Sequence, residues 1–113
     1  HTRRKGVVII MLLIIGGIGA GKREYARSLG LAEEDIACGV WDAVYENPGA
    51  AAELIEPLCL KAAVICEEVG SGVVPILRHE REAREAMGRL TAELAKRAGR
   101  VVRLVAGIPV ELK

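Results

Sequence analysis

Apolar stretches alternate with amphipathic ones along this chain. Three stretches are short, continuous and rich in Val and Ile, as in strands buried on both faces: residues 7–15, 62–66 and 101–106. Helices are predicted over residues 22–29, 50–60 and 77–98, and the last of these carries one apolar stripe at helical spacing. Residues 31–47 predict a short strand at 35–38 and a helical turn at 41–45. This alternation predicts right-handed crossovers and a small, mainly parallel β-sheet flanked by helices, an α/β fold.

Glycine and proline mark the expected boundaries of these elements. Gly30 ends the first helix, and Asn47-Pro48-Gly49 is a strong turn signal. Pro57 is expected to end or kink the helix over 50–60. Gly99 stands where a C-terminal glycine cap belongs. Residues 70–75 are expected to form a loop.

Length and composition predict one globular domain, residues 1–113. The core must be aliphatic, because the chain has no Phe and only 3% aromatic residues. A net charge of +1 gives no bulk electrostatic reason to expect a nucleic-acid partner. The three cysteines have no C-x-x-C spacing, so we expect buried free thiols in a reducing compartment.

The basic start followed by an apolar run also resembles a bacterial signal peptide. The run is far below the ~20 residues that a bilayer-spanning helix needs, so no membrane partner is expected. A signal cleavage site would fall inside the glycine loop that follows, so we favour a buried strand and a cytoplasmic protein. Met11 could be the natural start, with residues 1–10 an upstream extension or a cloning remnant.

The glycine loop carries the first chemical signal. Residues 16–22 read G-G-I-G-A-G-K, a P-loop (Walker A) pattern between a predicted buried strand and a predicted helix. In such a loop, backbone N–H groups curl around a phosphate and a lysine, here Lys22, reaches the β- and γ-phosphates. Arg23 stands where Ser or Thr normally holds magnesium, and a guanidinium has no lone pair for a metal. A structural glycine turn is the alternative.

Two carboxylates and four arginines are the other candidates. Glu67 and Glu68 follow the strand over 62–66, where P-loop proteins place an acidic residue that supports magnesium or orients a nucleophile. Successive strand residues point to opposite faces, so we expect one of them, Glu68, to face the site. The last helix carries arginines among glutamates, for which a salt-bridged solvent face is the alternative: Arg78, Arg81, Arg84 and Arg89. His79 is expected to be a surface residue.

The stretch from Glu67 to Lys113 resembles the adenosylcobinamide kinase / adenosylcobinamide-phosphate guanylyltransferase family. The family carries an N-terminal P-loop, an N-E-V-G-x-G-x-V-P segment, an R-x-x-R-D…G-R-x-N-Q helix and an A-G-(I/L)-P-like close. Here the corresponding runs are the glycine loop, E-E-V-G-S-G-V-V-P, the arginine helix with its G-R, and A-G-I-P.

The resemblance implies a RecA-like P-loop fold, commonly a homotrimer, that uses ATP or GTP with Mg²⁺. It implies phosphorylation of the aminopropanol hydroxyl of adenosylcobinamide, followed by GMP transfer through a histidine. Glu68 falls on the acidic residue of the E-V-G segment. Gly16, Gly17, Gly21 and Lys22 fall on the family's phosphate loop, and Arg81, Arg84 and Arg89 fall on the arginines of the helix that helps line its nucleotide site. Gly19 and Arg23 of the same loop are further candidates for nucleotide binding. The catalytic candidates are Lys22, Glu68 and Arg84, and Glu68 is also the metal candidate.

The chain also departs from the family. Family members are usually longer, and the missing part falls between the first helix and residue 62, where the family has its histidine nucleophile. His1 and His79 do not occupy that position. Thr91 and Ala92 replace the family's Asn-Gln. Guanylyltransferase activity is therefore expected to be lost.

The family's Asp-Cys-Leu-like acidic strand has Asp35 or Asp42 as its candidate remnant. We favour an ATP- or GTP-dependent kinase of a cobinamide-like alcohol. The alternatives are a catalytically degenerate nucleotide- or corrinoid-binding protein with a regulatory or partner-subunit role and, third, a P-loop kinase for another metabolite. Three obvious strands leave exposed sheet edges, so we expect a homo-oligomer, a trimer by analogy with the family.

Overall fold

The computed structural model describes residues 2–4, 7–17, 19–69 and 77–113. In chain order the strands are β1 (Thr2–Arg4), β2 (Val7–Ile9), β3 (Leu12–Gly16), β4 (Ile36–Ala37), β5 (Ala63–Glu67), β6 (Arg100–Val105) and β7 (Ile108–Glu111). The α-helices are α1 (Lys22–Ser28), α2 (Val40–Glu46), α3 (Ile55–Cys59) and α4 (Arg78–Arg97). Two 3₁₀ helices cover Glu33–Asp35 and Pro48–Leu54. The predicted loop at 70–75 lies outside the described residues.

A five-stranded sheet in the order β4-β5-β3-β6-β7 organises the molecule. The first four strands are parallel, and β7 pairs with β6 antiparallel. The predicted mixed α/β fold with a mainly parallel sheet flanked by helices is confirmed. Because β3 is the central strand, the chain that leaves its carboxyl end emerges between the ends of β5 and β6, where ligands of such sheets bind.

Helices cover both faces of this sheet. On one face, Leu12 and Ile14 of β3 pack with Ala26 of α1. On the other, Leu13 packs with residues of α4 that form the predicted apolar stripe, among them Met87. Both faces of β3 are therefore buried, which explains its continuous apolar sequence.

The predicted strand over residues 7–15 is wrong in extent. Residues 7–9 pair antiparallel with Thr2–Arg4 in a separate two-stranded ribbon, and the central strand begins only at Leu12. Ile10, between the two, is exposed. A continuous apolar sequence is compatible with both a two-stranded ribbon and a buried strand, so the composition of residues 7–15 does not show where one strand ends and the next begins. The edge strand β7, which pairs with β6, was also not predicted.

Pro57 and Gly99 do not end helices in the way that the sequence predicts. Pro57 lies in the first turn of α3, where its missing N–H interrupts no helical hydrogen bond, so it neither ends nor kinks a helix. At the end of α4 the chain leaves the helix through Ala98 in an extended conformation, not through a left-handed Gly99. Gly99 is instead required by space: its N–H donates to the Met11 carbonyl, and a Cβ there would overlap Cγ2 of Ile10.

No helix in the described part of the chain is long and apolar enough to cross a membrane.

Candidate functional site

The glycine loop connects the carboxyl end of the central strand to the first turn of α1. Gly19 and Gly21 adopt left-handed conformations, with φ of 74° and 82°, which let the chain turn sharply into the helix. The Ala20 N–H donates to the Gly17 carbonyl at 3.2 Å. A Cβ on Gly16 would lie 3.1 Å from the carbonyl oxygen of Leu104, so β3 and β6 approach closely just before the loop.

Lys22, the first residue of α1, is buried, with 7% of its surface exposed. Its Nζ donates to the Gly17 carbonyl at 2.5 Å, which folds the side chain back over the loop. An ammonium group has three N–H donors, so this contact leaves capacity for an anion. Lys22 is the one charged side chain classed as buried within the described residues.

Arg23 contacts a cysteine from the neighbouring loop. Its Nη2 lies 2.8 Å from Sγ of Cys38, and this hydrogen bond is the largest cause that raises the pKa of Arg23. The expectation of buried thiols is wrong for Cys38, which is exposed, and holds fully only for Cys66. Cys59 is partly buried. No disulfide links the three.

A cleft of about 340 Å³ opens beside the loop, and we call it the loop cleft. Besides Lys22, Arg23 and Cys38, its charged lining comes from Asp42 of α2 and Glu67 of β5. The structure thereby separates the two acidic candidates of residues 31–47. Asp42 lines the loop cleft, whereas Asp35 precedes β4 and its carbonyl accepts from Ala62 at the amino ends of the strands.

The two carboxylates at the end of β5 take different faces. Glu67 follows the side of β5 on which Ile65 lies, and both residues line the loop cleft, although Glu67, at the end of the strand, also borders the cleft against α4. Glu68 is instead held by Arg103 of β6, with oxygen–nitrogen distances of 2.7 and 3.0 Å. The alternation argument is correct in separating them, but the structure brings Glu67, not the favoured Glu68, beside Lys22. Sequence could not show which face of β5 meets α1.

The arginines of α4 divide between different surroundings. Arg84 donates to Glu80 at 3.2 Å, while its buried Nε has no hydrogen-bond partner among the described residues. Arg84 lies on the same face of α4 as Gly88 and Thr91. These two residues line a second, mostly apolar cleft together with Glu67 and Glu68. Arg81 is exposed. Arg89 lines a separate cleft against the 3₁₀ helix Pro48–Leu54, so the structure does not bring it near Lys22.

His79 is exposed, as expected, and its Nε2 lies 2.5 Å from the Tyr45 carbonyl. Its ring meets that of Tyr45 edge-on, with centroids 4.8 Å apart. Across residues 2–4, 7–17, 19–69 and 77–113, no group of three or more His, Cys, Asp or Glu side chains could hold a metal by itself.

Comparison with known families identifies a relationship over most of the chain. Residues 41–112 match the family described as cobinamide kinase / cobinamide phosphate guanyltransferase. The chain belongs to this family. Membership in the cobinamide kinase / guanyltransferase family places the chain in cobalamin biosynthesis and in transferase-type chemistry. The match includes Asp42, Glu67, Arg84 and Arg103 but begins after the glycine loop.

No curated protein matches the chain.

Proposed function

We propose that the chain is an ATP- or GTP-dependent kinase of a cobinamide-like alcohol, built on a RecA-like P-loop fold. The observation that carries this proposal is the position of Lys22. It stands at the first position of the helix after the central parallel strand, buried, behind a loop turned by two left-handed glycines. In P-loop proteins the loop amides, the helix amino terminus and the lysine ammonium group together bind the phosphates, and the strand, loop and helix follow one another here in that order.

The reaction we propose is a direct transfer of the terminal phosphoryl group. The substrate hydroxyl oxygen attacks the γ-phosphorus, the bond to the β,γ-bridging oxygen breaks, and the hydroxyl proton leaves to a carboxylate or to water. The chain contributes mainly position and charge. Lys22 holds the phosphates, Glu67 acts on the magnesium–nucleotide from the loop cleft, and Arg84 or Arg81 offsets charge that develops on the transferred group.

Magnesium fits this site through a small donor set. Mg²⁺ usually binds one or two carboxylates together with substrate phosphates and water, so it does not need a cage of protein ligands. Asp42 and Glu67 both line the loop cleft that holds Lys22. When bound with the nucleotide, the ion supplies neutralising charge to the phosphate oxygens. Arg23 cannot serve as a ligand, so in this proposal the carboxylates replace the hydroxyl of the usual P-loop.

A second candidate is a nucleotide- or corrinoid-binding protein that has lost catalysis. The Arg23–Cys38 contact favours it, because a guanidinium at the position of the metal-binding hydroxyl can itself neutralise phosphate charge. Nucleotide binding that survives a chelator would then be expected. The Arg23→Ser variant separates the two candidates, since a restored hydroxyl should strengthen the magnesium dependence of an active kinase.

The experiment that tests the kinase proposal is transfer of label from [γ-³²P]ATP or GTP to adenosylcobinamide in the presence of Mg²⁺. Lys22→Ala should abolish transfer. Lys61→Ala is the matched control, because Lys61 lies at the opposite ends of the strands and donates to the Glu34 carbonyl. No transfer by the wild type, with nucleotide binding that depends on Lys22, would establish the second candidate instead.

We also propose that guanylyl transfer is absent. His79 lies at the surface, where its Nε2 contacts the Tyr45 carbonyl, and His1 lies outside the described residues. Incubation with [α-³²P]GTP should leave no label on the protein, with a guanylylating family member as positive control. Covalent label on the wild type that disappears in His79→Ala would contradict this proposal.

A further inference from the structure

The ion pair between Glu68 and Arg103 joins two strands that do not touch each other. Glu68 follows β5 and Arg103 lies on β6, and both strands flank the central β3. Nε of Arg103 donates to Oε1 and Nη2 to Oε2, at 2.7 and 3.0 Å. This fork-to-carboxylate geometry fixes orientation as well as distance. The pair thus crosses over β3 next to Gly16, where the glycine loop begins.

The backbone holds Glu68 in the same position. Its N–H donates to the Gly16 carbonyl at 2.9 Å, so the pairing of β5 with β3 continues to the start of the loop. A side chain held on the α4 face at Glu68 requires its neighbour to take the opposite face. That neighbour is Glu67, which lines the loop cleft with Lys22.

A second arginine–glutamate pair on β6 does not cross the central strand. Arg100 donates through Nε and Nη2 to Oε1 of Glu111, at 3.2 and 2.7 Å. The partners come from the adjacent strands β6 and β7, and Arg100 begins β6, at the end of the sheet away from the loop. About half of each arginine side chain is exposed, 50% for Arg100 and 49% for Arg103, and both pairs lie at the surface, so each is expected to contribute little to stability.

We infer that Arg103 is a positioning residue: by holding Glu68 on the α4 face, it keeps the Glu67 carboxylate in the loop cleft, where it acts on the magnesium–nucleotide. Arg103 itself need not touch the substrate. The inference rests on the proposed function, and it explains why the end of β5 carries two consecutive carboxylates: one is the anchor and the other faces the ligand.

The test measures ATP binding with and without Mg²⁺, which does not require turnover. The ratio of the two dissociation constants gives the magnesium contribution. Arg103→Gln should reduce this contribution about 10-fold, as removal of a partner that orients a ligand does, and Glu67→Gln should reduce it similarly. Metal-free ATP binding should stay unchanged. Arg100→Gln is the matched control and should leave both constants unchanged, with a melting temperature close to that of Arg103→Gln.

Two further variants separate positioning from a general loss of structure. Arg103→Lys keeps a cation opposite Glu68 and should restore part of the magnesium contribution. Arg103→Gln combined with Glu68→Gln should behave like either single variant, because the two side chains act as one unit. Full additivity of the two changes, or an Arg103→Gln variant that matches Arg100→Gln in every constant, would overturn the inference.

The transfer assay and the binding assay fail independently. Transfer to adenosylcobinamide with no magnesium contribution to binding would overturn the role of Arg103 and leave the kinase proposal standing. A magnesium contribution that Arg103→Gln removes, in a protein that transfers no phosphate, would support the positioning role and overturn the kinase.

Discussion

Nη2 of Arg23 and Sγ of Cys38 lie 2.8 Å apart, so the first turn of α1 is joined to the loop between β4 and α2. Both residues line the loop cleft with Lys22. A ligand that reaches Lys22 must therefore sit against this contact. The reactivity of the Cys38 thiol can therefore report nucleotide binding in the loop cleft without a labelled nucleotide.

We predict that a thiol-specific disulfide reagent modifies Cys38 first, because Cys59 is partly buried and Cys66 is fully buried. ATP at ten times its dissociation constant should slow modification of Cys38 about 10-fold by occupying the cleft. Lys22→Ala should lose this protection while its rate without ATP stays unchanged. Modification of Cys38 at one rate with and without saturating ATP would place the nucleotide elsewhere.

The close approach of Gly99 to Ile10 predicts a steric effect on stability. Gly99→Ala should lower the free energy of unfolding by about 1–3 kcal/mol, measured by urea denaturation, because the new Cβ overlaps the Ile10 side chain. Ile10→Ala should restore stability in the same background, since Ile10 is exposed and little packing is lost. Gly88→Ala is the control: nothing lies within 4 Å of its Cβ position, so this helical change should stabilise by about 0.5–1 kcal/mol. A Gly99→Ala variant as stable as the wild type would contradict the steric explanation.

Burial of Cys66 predicts a loss of stability in alkali. Desolvation raises the pKa of this thiol from 9.0 to about 12, against a smaller opposing effect of a hydrogen bond with Thr91. The folded protein therefore binds more protons than the unfolded chain between these two values, and stability falls as pH rises through this window. The loss should be about 1.4 kcal/mol for each pH unit above the unfolded value.

Urea denaturation at pH 8 and pH 10, in the presence of a reductant, measures this effect. Cys66→Ala should remove that part of the decline, although its stability at pH 8 is lower because the smaller side chain leaves a cavity. Cys38→Ala, at an exposed thiol, should retain the wild-type decline. Equal slopes for the wild type and Cys66→Ala would show that the thiol does not titrate in this range.

The edge of the sheet at β7 is where we expect copies of the chain to associate. Four large apolar residues are exposed on one face of the β6–β7 hairpin and after it: Val105, Ile108, Val110 and Leu112. Light scattering at micromolar concentration should give a homo-oligomer, a trimer by analogy with the family. Ile108→Asp should shift it to monomer, whereas Leu29→Asp, an exposed apolar residue at the end of α1, should not. A monomeric wild type would refute the expectation.

The regular elements were largely predictable because their patterns are local. The apolar stripe of the last helix predicts residues 77–98, and α4 covers Arg78–Arg97. The strand predicted over 62–66 is β5, one residue later in the chain, and the strand predicted over 101–106 is β6, one residue earlier. β7 was missed because it contains Pro109, which weakens a strand pattern but is tolerated at a sheet edge.

The candidate site was predictable only in its sequence-local part. The strand–glycine loop–helix context correctly locates Lys22 at the start of α1. The choice between Glu67 and Glu68 depends on which face of β5 meets α1, and the role of Arg103 depends on strand order. Strand order and facing are set by long-range packing, which no window of sequence contains.

The central position of β3 has a consequence for the order in which the molecule can be completed. Ile14 pairs with Ile65 on one side and with Val102 on the other, and both partners come from much later in the chain. During synthesis β3 therefore emerges before either of its partner strands, and its unpaired backbone N–H and C=O groups favour misassociation until those strands are made. The crossing pair over β3 exists only after β6 is made. The sheet end from which the glycine loop emerges is thus among the last parts of the protein to form.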